Sequence, residues 1–123
     1  MNEIVHTDQG HFPIQDLKVG EHSIRGKIIQ KISKNICHHK KMVHIQKDAI
    51  QEGVPNKDTI LTMNHKVSFR GRKKPIFRFL HKDGISLIPS ENRPIFNVML
   101  SDYSWMRVNN MVVETLDPSS TLS

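Results

Sequence analysis

Between two apolar, strand-like runs the chain reads ILTMNHKVSF over residues 60–69, which sets Thr62 and His65 three positions apart on a tight turn. A hydroxyl and an imidazole at that spacing can face one point. The hydroxyl can hydrogen-bond an amide, and the imidazole can give or take a proton near neutral pH. Together they suit the straining or protonation of a peptide bond laid between them. T-x-x-H by itself is short enough to arise by chance, so its weight rests on what surrounds it.

Two other clusters compete for attention. Cys37, His38, His39 and His44 offer metal-ligating atoms, but a zinc site needs a second pair at a matching distance and the chain has one cysteine. The expectation is an exposed loop leading into a strand, with Cys37 as a half-buried small side chain, no metal and no cofactor. The second cluster is basic. Net charge is +6, and Arg70, Arg72, Lys73, Lys74, Arg78 and Lys82 fall within thirteen residues. That segment could hold phosphates of a nucleic acid or another polyanion. Its plainer reading is a solvated hairpin loop and an edge strand, where basic side chains also discourage pairing with other chains. Phe77 and Phe79 alternate with Arg78 as in a strand with one buried face.

The elements that must position these residues read as many short strands and almost no helix. EIVHT, MVHIQK, TILT, HKVSF, PIFRFL, ISLIP, IFNVML and WMRVNNMVVETL are separated by DQG, RGRKK, KDG, SENR and SDYS, a spacing that indicates an all-β fold. Residues 47–58, KDAIQEGVPNKD, hold the one plausible helical turn, ended by Gly53 and Pro55. VNNM reads as a tight turn because asparagine tolerates positive φ, so Asn109 and Asn110 need no active-site role. Trp105, Met106, Met111 and Val113 are expected in the core, joined by Phe12, Phe69 and Phe77. With 123 residues and 37% apolar content, one domain over residues 1–116 is expected, followed by a tail or linker at 117–123. No apolar stretch approaches the length of a membrane helix, no signal peptide is legible, and the single cysteine fits a reducing compartment.

Three blocks, taken in order, resemble the Hint family, the self-processing modules of inteins and hedgehog proteins. VHTDQGHFPIQDLKVGE is similar to the family's N-terminal block, with Thr7, Gly10, Ile14, Asp16, Leu17 and Gly20 at its marked positions. DTILTMNHKV resembles the second block, whose T-x-x-H falls on Thr62 and His65. PIFNVMLSDYSWMRVNNMVVE resembles the late block, and Asn97 occupies the place of its frequent aspartate. As an amide, Asn97 can hydrogen-bond but does not relay a proton at ordinary pH.

The resemblance implies a flattened, horseshoe-like, all-β Hint domain whose two similar subdomains exchange strands, working as a monomer. Its implied substrate is its own upstream segment. A cysteine or serine at the N-terminal junction attacks the carbonyl before it, and the resulting thioester or ester passes to water, a small thiol or another nucleophile. Thr62 would orient the scissile amide and His65 would move the proton, with Asn97 as the third site residue. The nucleophile is expected a few residues before Met1, and no cysteine or serine precedes Thr7. The chain alone is thus expected not to perform the first acyl shift. It is either a piece of a longer protein or a domain that kept its fold and lost its chemistry. Glu114 and Thr115 stand where splicing inteins carry a histidine and an asparagine, so no C-terminal splicing is implied. The expected fold should bring Thr62, His65 and Asn97 to one cleft near residues 1–5. The alternative function is a non-catalytic β module that holds a polyanion or nucleic acid through the basic 70–82 segment.

Overall fold

The computed structural model describes residues 3–36, 39–69 and 71–116. Its strands, in chain order, are β1 (Ile4–Thr7), β2 (Gly10–Pro13), β3 (Ser23–Ile24), β4 (Lys27–Ile28), β5 (Lys31–Ile36), β6 (Lys41–Ile45), β7 (Thr59–Leu61), β8 (Lys66–Phe69), β9 (Arg72–Pro75), β10 (Ile85–Pro89), β11 (Pro94–Met99), β12 (Trp105–Val108) and β13 (Met111–Glu114). The fold is all-β, and every strand ladder is antiparallel. A six-stranded sheet runs β2-β1-β12-β13-β8-β9, a three-stranded sheet runs β10-β6-β7, and β11 with β5 and β3 with β4 form two-stranded ribbons. The tail at 117–123 lies outside the described residues.

The six-stranded sheet joins parts of the chain that are far apart in sequence. Val5 of β1 faces Val108 of β12, and Val113 of β13 faces Val67 of β8. All four are buried, and alternation along each strand turns their neighbours to the other face. Ile29, Ile45, Ile76, Leu100 and Met111 extend the same core with fully buried side chains. Met106, Met111 and Val113 are in the core as expected, and Phe12 and Phe69 pack against it half-buried. Trp105 is only half-buried, and Phe77 is 39% exposed.

Two expectations about local structure change. PIFRFL is not a strand: Ile76–Phe79 forms a 3-10 turn, with Ile76 and Phe79 buried three residues apart on its inner side. Pro75 precedes it at φ −55°, and Pro13, at the same φ, precedes the other 3-10 turn, Ile14–Asp16. A proline fixes φ near the helical value and lacks the N–H that a first turn leaves unpaired, which favours a short turn at both places. The second change concerns residues 47–58, which form no helix. That segment folds back on itself through a bridge between Gln51 and Val54.

Turn chemistry sets the hairpins. Asn109 and Asn110 link β12 to β13 with φ of 50° and 68°, the two positive values that a two-residue hairpin loop requires. Gly84, at φ 85°, precedes β10, and a Cβ there would lie 3.0 Å from the Ala49 Cβ. Gly84→Ala is expected to destabilise the fold by about 1–2 kcal/mol through its left-handed backbone alone, with more from the Ala49 contact, as read by urea unfolding.

Candidate functional site

Strand β7 ends at Leu61 and β8 begins at Lys66, so Thr62 to His65 form the connecting turn. The His65 N–H donates to the Thr62 carbonyl at 3.1 Å and closes it. From outside, the Ile76 N–H donates to the His65 carbonyl at 2.9 Å and the Phe77 N–H to the Met63 carbonyl at 3.1 Å. The 3-10 turn after Pro75 thus clamps the T-x-x-H loop at two points.

The His65 imidazole points towards β13. Its Nε2 lies 3.1 Å from the Glu114 carbonyl oxygen. A carbonyl only accepts, so Nε2 carries the hydrogen in the neutral ring and Nδ1 keeps a free lone pair. The Glu114 side chain is fixed in turn, since Oε2 accepts from the Lys66 N–H at 2.6 Å and Oε1 from the Tyr103 hydroxyl at 3.0 Å. Burial pushes the His65 pKa below its ordinary value, while the Glu114 carboxylate and the bond to its carbonyl pull the other way. Burial is the larger influence, so the ring is neutral at pH 7. Glu114→Gln removes the carboxylate's share of the upward pull and leaves the bond to the carbonyl, and an NMR titration of the imidazole should show the pKa falling further.

Thr62 and His65 line one cavity of about 50 Å³. Glu3, the first described residue, is on its wall, as are Pro94, Ile95 and Phe96 of β11. The rest of the lining is aliphatic or methionine. Among the described residues the Thr62 hydroxyl has no hydrogen-bond partner. A space this small is well below the ~300 Å³ of a small-molecule pocket. It leaves room for little more than one small group.

Asn97 does not share that cavity. Its strand reaches the wall through residues 94–96, but Asn97 sits beyond them, opposite Ser33 of β5. The expected meeting place therefore holds Thr62, His65 and the start of the chain, without the amide. A different strand, β13, contributes through the Glu114 carbonyl instead.

A residue set aside on sequence grounds organises the neighbourhood. Asn109 is fully buried, with Oδ1 accepting from the Ile4 N–H at 2.9 Å and Nδ2 donating to the Thr59 hydroxyl at 2.8 Å. Its backbone N–H also donates to the Ile4 carbonyl at 2.8 Å. One side chain thus ties the first strand to the strand that leads into Thr62. The doubled asparagine signalled positive φ, and no local pattern names a partner 105 residues away.

The competing clusters have ordinary surroundings. Cys37, His38 and Arg70 lie outside the described residues. His44 Nε2 lies 3.1 Å from Asp58 Oδ2, and Asp58 Oδ1 accepts the Lys47 N–H. Among the described residues no three histidine, cysteine or acidic side chains stand together as metal ligands. Arg72, Lys73 and Lys74 lie on β9, an edge of the large sheet, and all three are exposed. The Lys73 ammonium is 4.4 Å from the Trp105 ring centroid, and that of Lys82 is 4.4 Å from the Phe69 centroid. Both side chains lie over aromatic faces and thereby cover them.

Compared with known proteins, the chain matches no family model, no curated protein and no solved structure at a significant level.

Proposed function

We propose that this chain is the body of a Hint-type self-processing domain that breaks the peptide bond at its own N-terminal junction. The observation that carries the reading is the cavity shared by Thr62, His65 and Glu3. The hydroxyl and the imidazole sit on a loop held by two backbone clamps, with the imidazole fixed on the Glu114 carbonyl, and both line the cavity that Glu3 also lines. The resemblance of the three sequence blocks supplies the reaction class, and the small cavity favours a tethered substrate over a diffusing one.

The chemistry balances within the chain and its upstream segment. A junction cysteine, expected before Met1, adds through sulfur to the carbonyl carbon ahead of it. His65 Nδ1 accepts the thiol proton, and Nε2 keeps its hydrogen on the Glu114 carbonyl. Thr62 hydrogen-bonds the scissile amide and holds it beside the imidazole. The amide C–N bond then breaks, its nitrogen leaves with the proton carried by His65, and a thioester remains. Water or a small thiol releases the upstream segment. Thr115 has no side-chain amide with which to cyclise, and its hydroxyl is engaged with both the N–H and the carbonyl of Ser104. The proposed reaction is therefore confined to the front of the domain, and Asn97 has no step in it.

The test is a fusion that restores the native upstream residues with a cysteine at the junction, incubated with dithiothreitol. Release of the upstream segment supports the proposal. A folded fusion that stays whole removes it. The polyanion reading of residues 70–82 draws little support, since an exposed edge strand bearing lysines is what guards a sheet against pairing with another chain.

A further inference from the structure

A groove of about 420 Å³ opens on the other face of the six-stranded sheet, between the β3–β4 hairpin and strands β1 and β12. It shares neither Thr62 nor His65 with the cavity described above. Its volume falls in the range of small-molecule sites. Two guanidinium groups line it, from Arg25 at the hairpin tip and Arg107 on β12. Arg107 is steadied by its Nη1, which donates to Asn110 Oδ1 at 3.2 Å.

The groove also presents two flat rings. Trp105 lines it, and the Lys73 side chain that covers the indole is not part of the lining. His6 lines it as well, stacked on His11 with centroids 3.8 Å apart and planes 7° from parallel. Burial, His11 and Arg107 all lower the His6 pKa, so that ring is neutral at pH 7. One carboxylate, Asp8, faces the groove, and it already accepts from the Ser23 hydroxyl at 2.7 Å and the Gly26 N–H at 2.9 Å. Arg25 stands at φ 54°, a turn position that glycine or asparagine occupies with less strain. The turn geometry itself therefore does not call for a long side chain at Arg25.

We propose that this groove binds a single nucleotide unit, its base against Trp105 and His6 and its phosphate between Arg25 and Arg107. Aromatic stacking is tolerant of base identity, and guanidinium groups match phosphate oxygens bidentately. The same unit can be a free mononucleotide or one residue of a single-stranded nucleic acid.

Trp105 is the one tryptophan of the chain, so its emission reports on the groove directly. The experiment titrates the full chain at low salt with AMP, with a short oligodeoxyadenylate and with inorganic phosphate. Saturable quenching by AMP and the oligonucleotide at similar affinity identifies a mononucleotide site. Much tighter, salt-sensitive quenching by the oligonucleotide identifies the single strand as the source. Arg107→Gln is expected to weaken binding about tenfold or more, and so is Arg25→Gly. Arg25→Gly relieves the positive φ and should hold or raise the melting temperature, which separates loss of binding from loss of fold. No saturable change with either nucleotide, equal quenching by phosphate alone, or unaltered affinity in Arg25→Gly would overturn the proposal.

Discussion

His65→Ala, in a protein carrying its restored junction, is expected to slow release of the upstream segment by about 10²–10⁴-fold, the range for loss of a positioned acid–base group. His65→Gln separates chemistry from architecture. A glutamine amide can still donate to the Glu114 carbonyl, which His65 Nε2 meets at 3.1 Å, but it moves no proton. Both variants should therefore be equally slow. Recovery by glutamine would make His65 a brace for β13 and nothing more.

The same residue gives the fold a signed pH dependence. In the unfolded chain His65 titrates near its ordinary value of about 6.5, and in the folded chain burial holds it lower. Between those two values the unfolded state binds more protons, so stability rises with pH. The full contribution is present above about 6.5 and is lost as pH falls through that window towards the folded pKa. His65→Gln should flatten this part of a urea-unfolding series across pH, leaving the shallower share that comes from His6, which is shifted in the same direction.

Asn109→Ala carries the second large effect, a loss of about 3–5 kcal/mol of folding stability. Truncation leaves the part-buried Ile4 N–H without its partner, costing about 1–3 kcal/mol, and takes one of two hydrogen bonds from the buried Thr59 hydroxyl, which still donates to the Lys57 carbonyl, costing about 0.5–1.5 kcal/mol. It also puts a Cβ-bearing residue with no local hydrogen bond at φ 50°, worth about 1–2 kcal/mol more. Asn109→Gly removes the backbone strain and should recover only that smaller share. Hydrogen exchange at the Ile4 amide gives the local readout. Protection there should fall in both variants, because either change unties β1 from the strand that feeds Thr62. Unchanged exchange at Ile4 would mean that the β1–β12 and β1–β2 ladders hold the N-terminus without Asn109.

What the sequence disclosed, and what it hid, divides by range. Alternation and turn residues are local, so most strands and the Asn109–Asn110 hairpin were legible from the chain alone. The T-x-x-H turn was legible for the same reason, since Thr62 and His65 sit between two alternating runs. Contacts across the sheet left no local trace. Nothing near His65 announces that Glu114 will receive its imidazole, 49 residues on. The misread PIFRFL has a physical cause, because i, i+2 aromatics imitate a strand while a preceding proline favours a 3-10 turn. Buried Ile76 and Phe79, not Phe77 and Phe79, form its inner side. Asn97 was assigned by block similarity, and the register that sets it opposite Ser33, beyond the cavity wall, depends on how β11 pairs with β5.

In the proposed reaction, the strand that begins at Ile4 brings an acyl group to the Thr62–His65 cavity. Mass spectrometry of the junction-restored protein treated with hydroxylamine measures this directly. An upstream segment ending in a hydroxamate, formed by the wild type and suppressed in His65→Ala, is the predicted result, since a thioester hands its acyl group to that nucleophile. An intact, folded chain, or a hydroxamate that forms equally in His65→Ala, would contradict it.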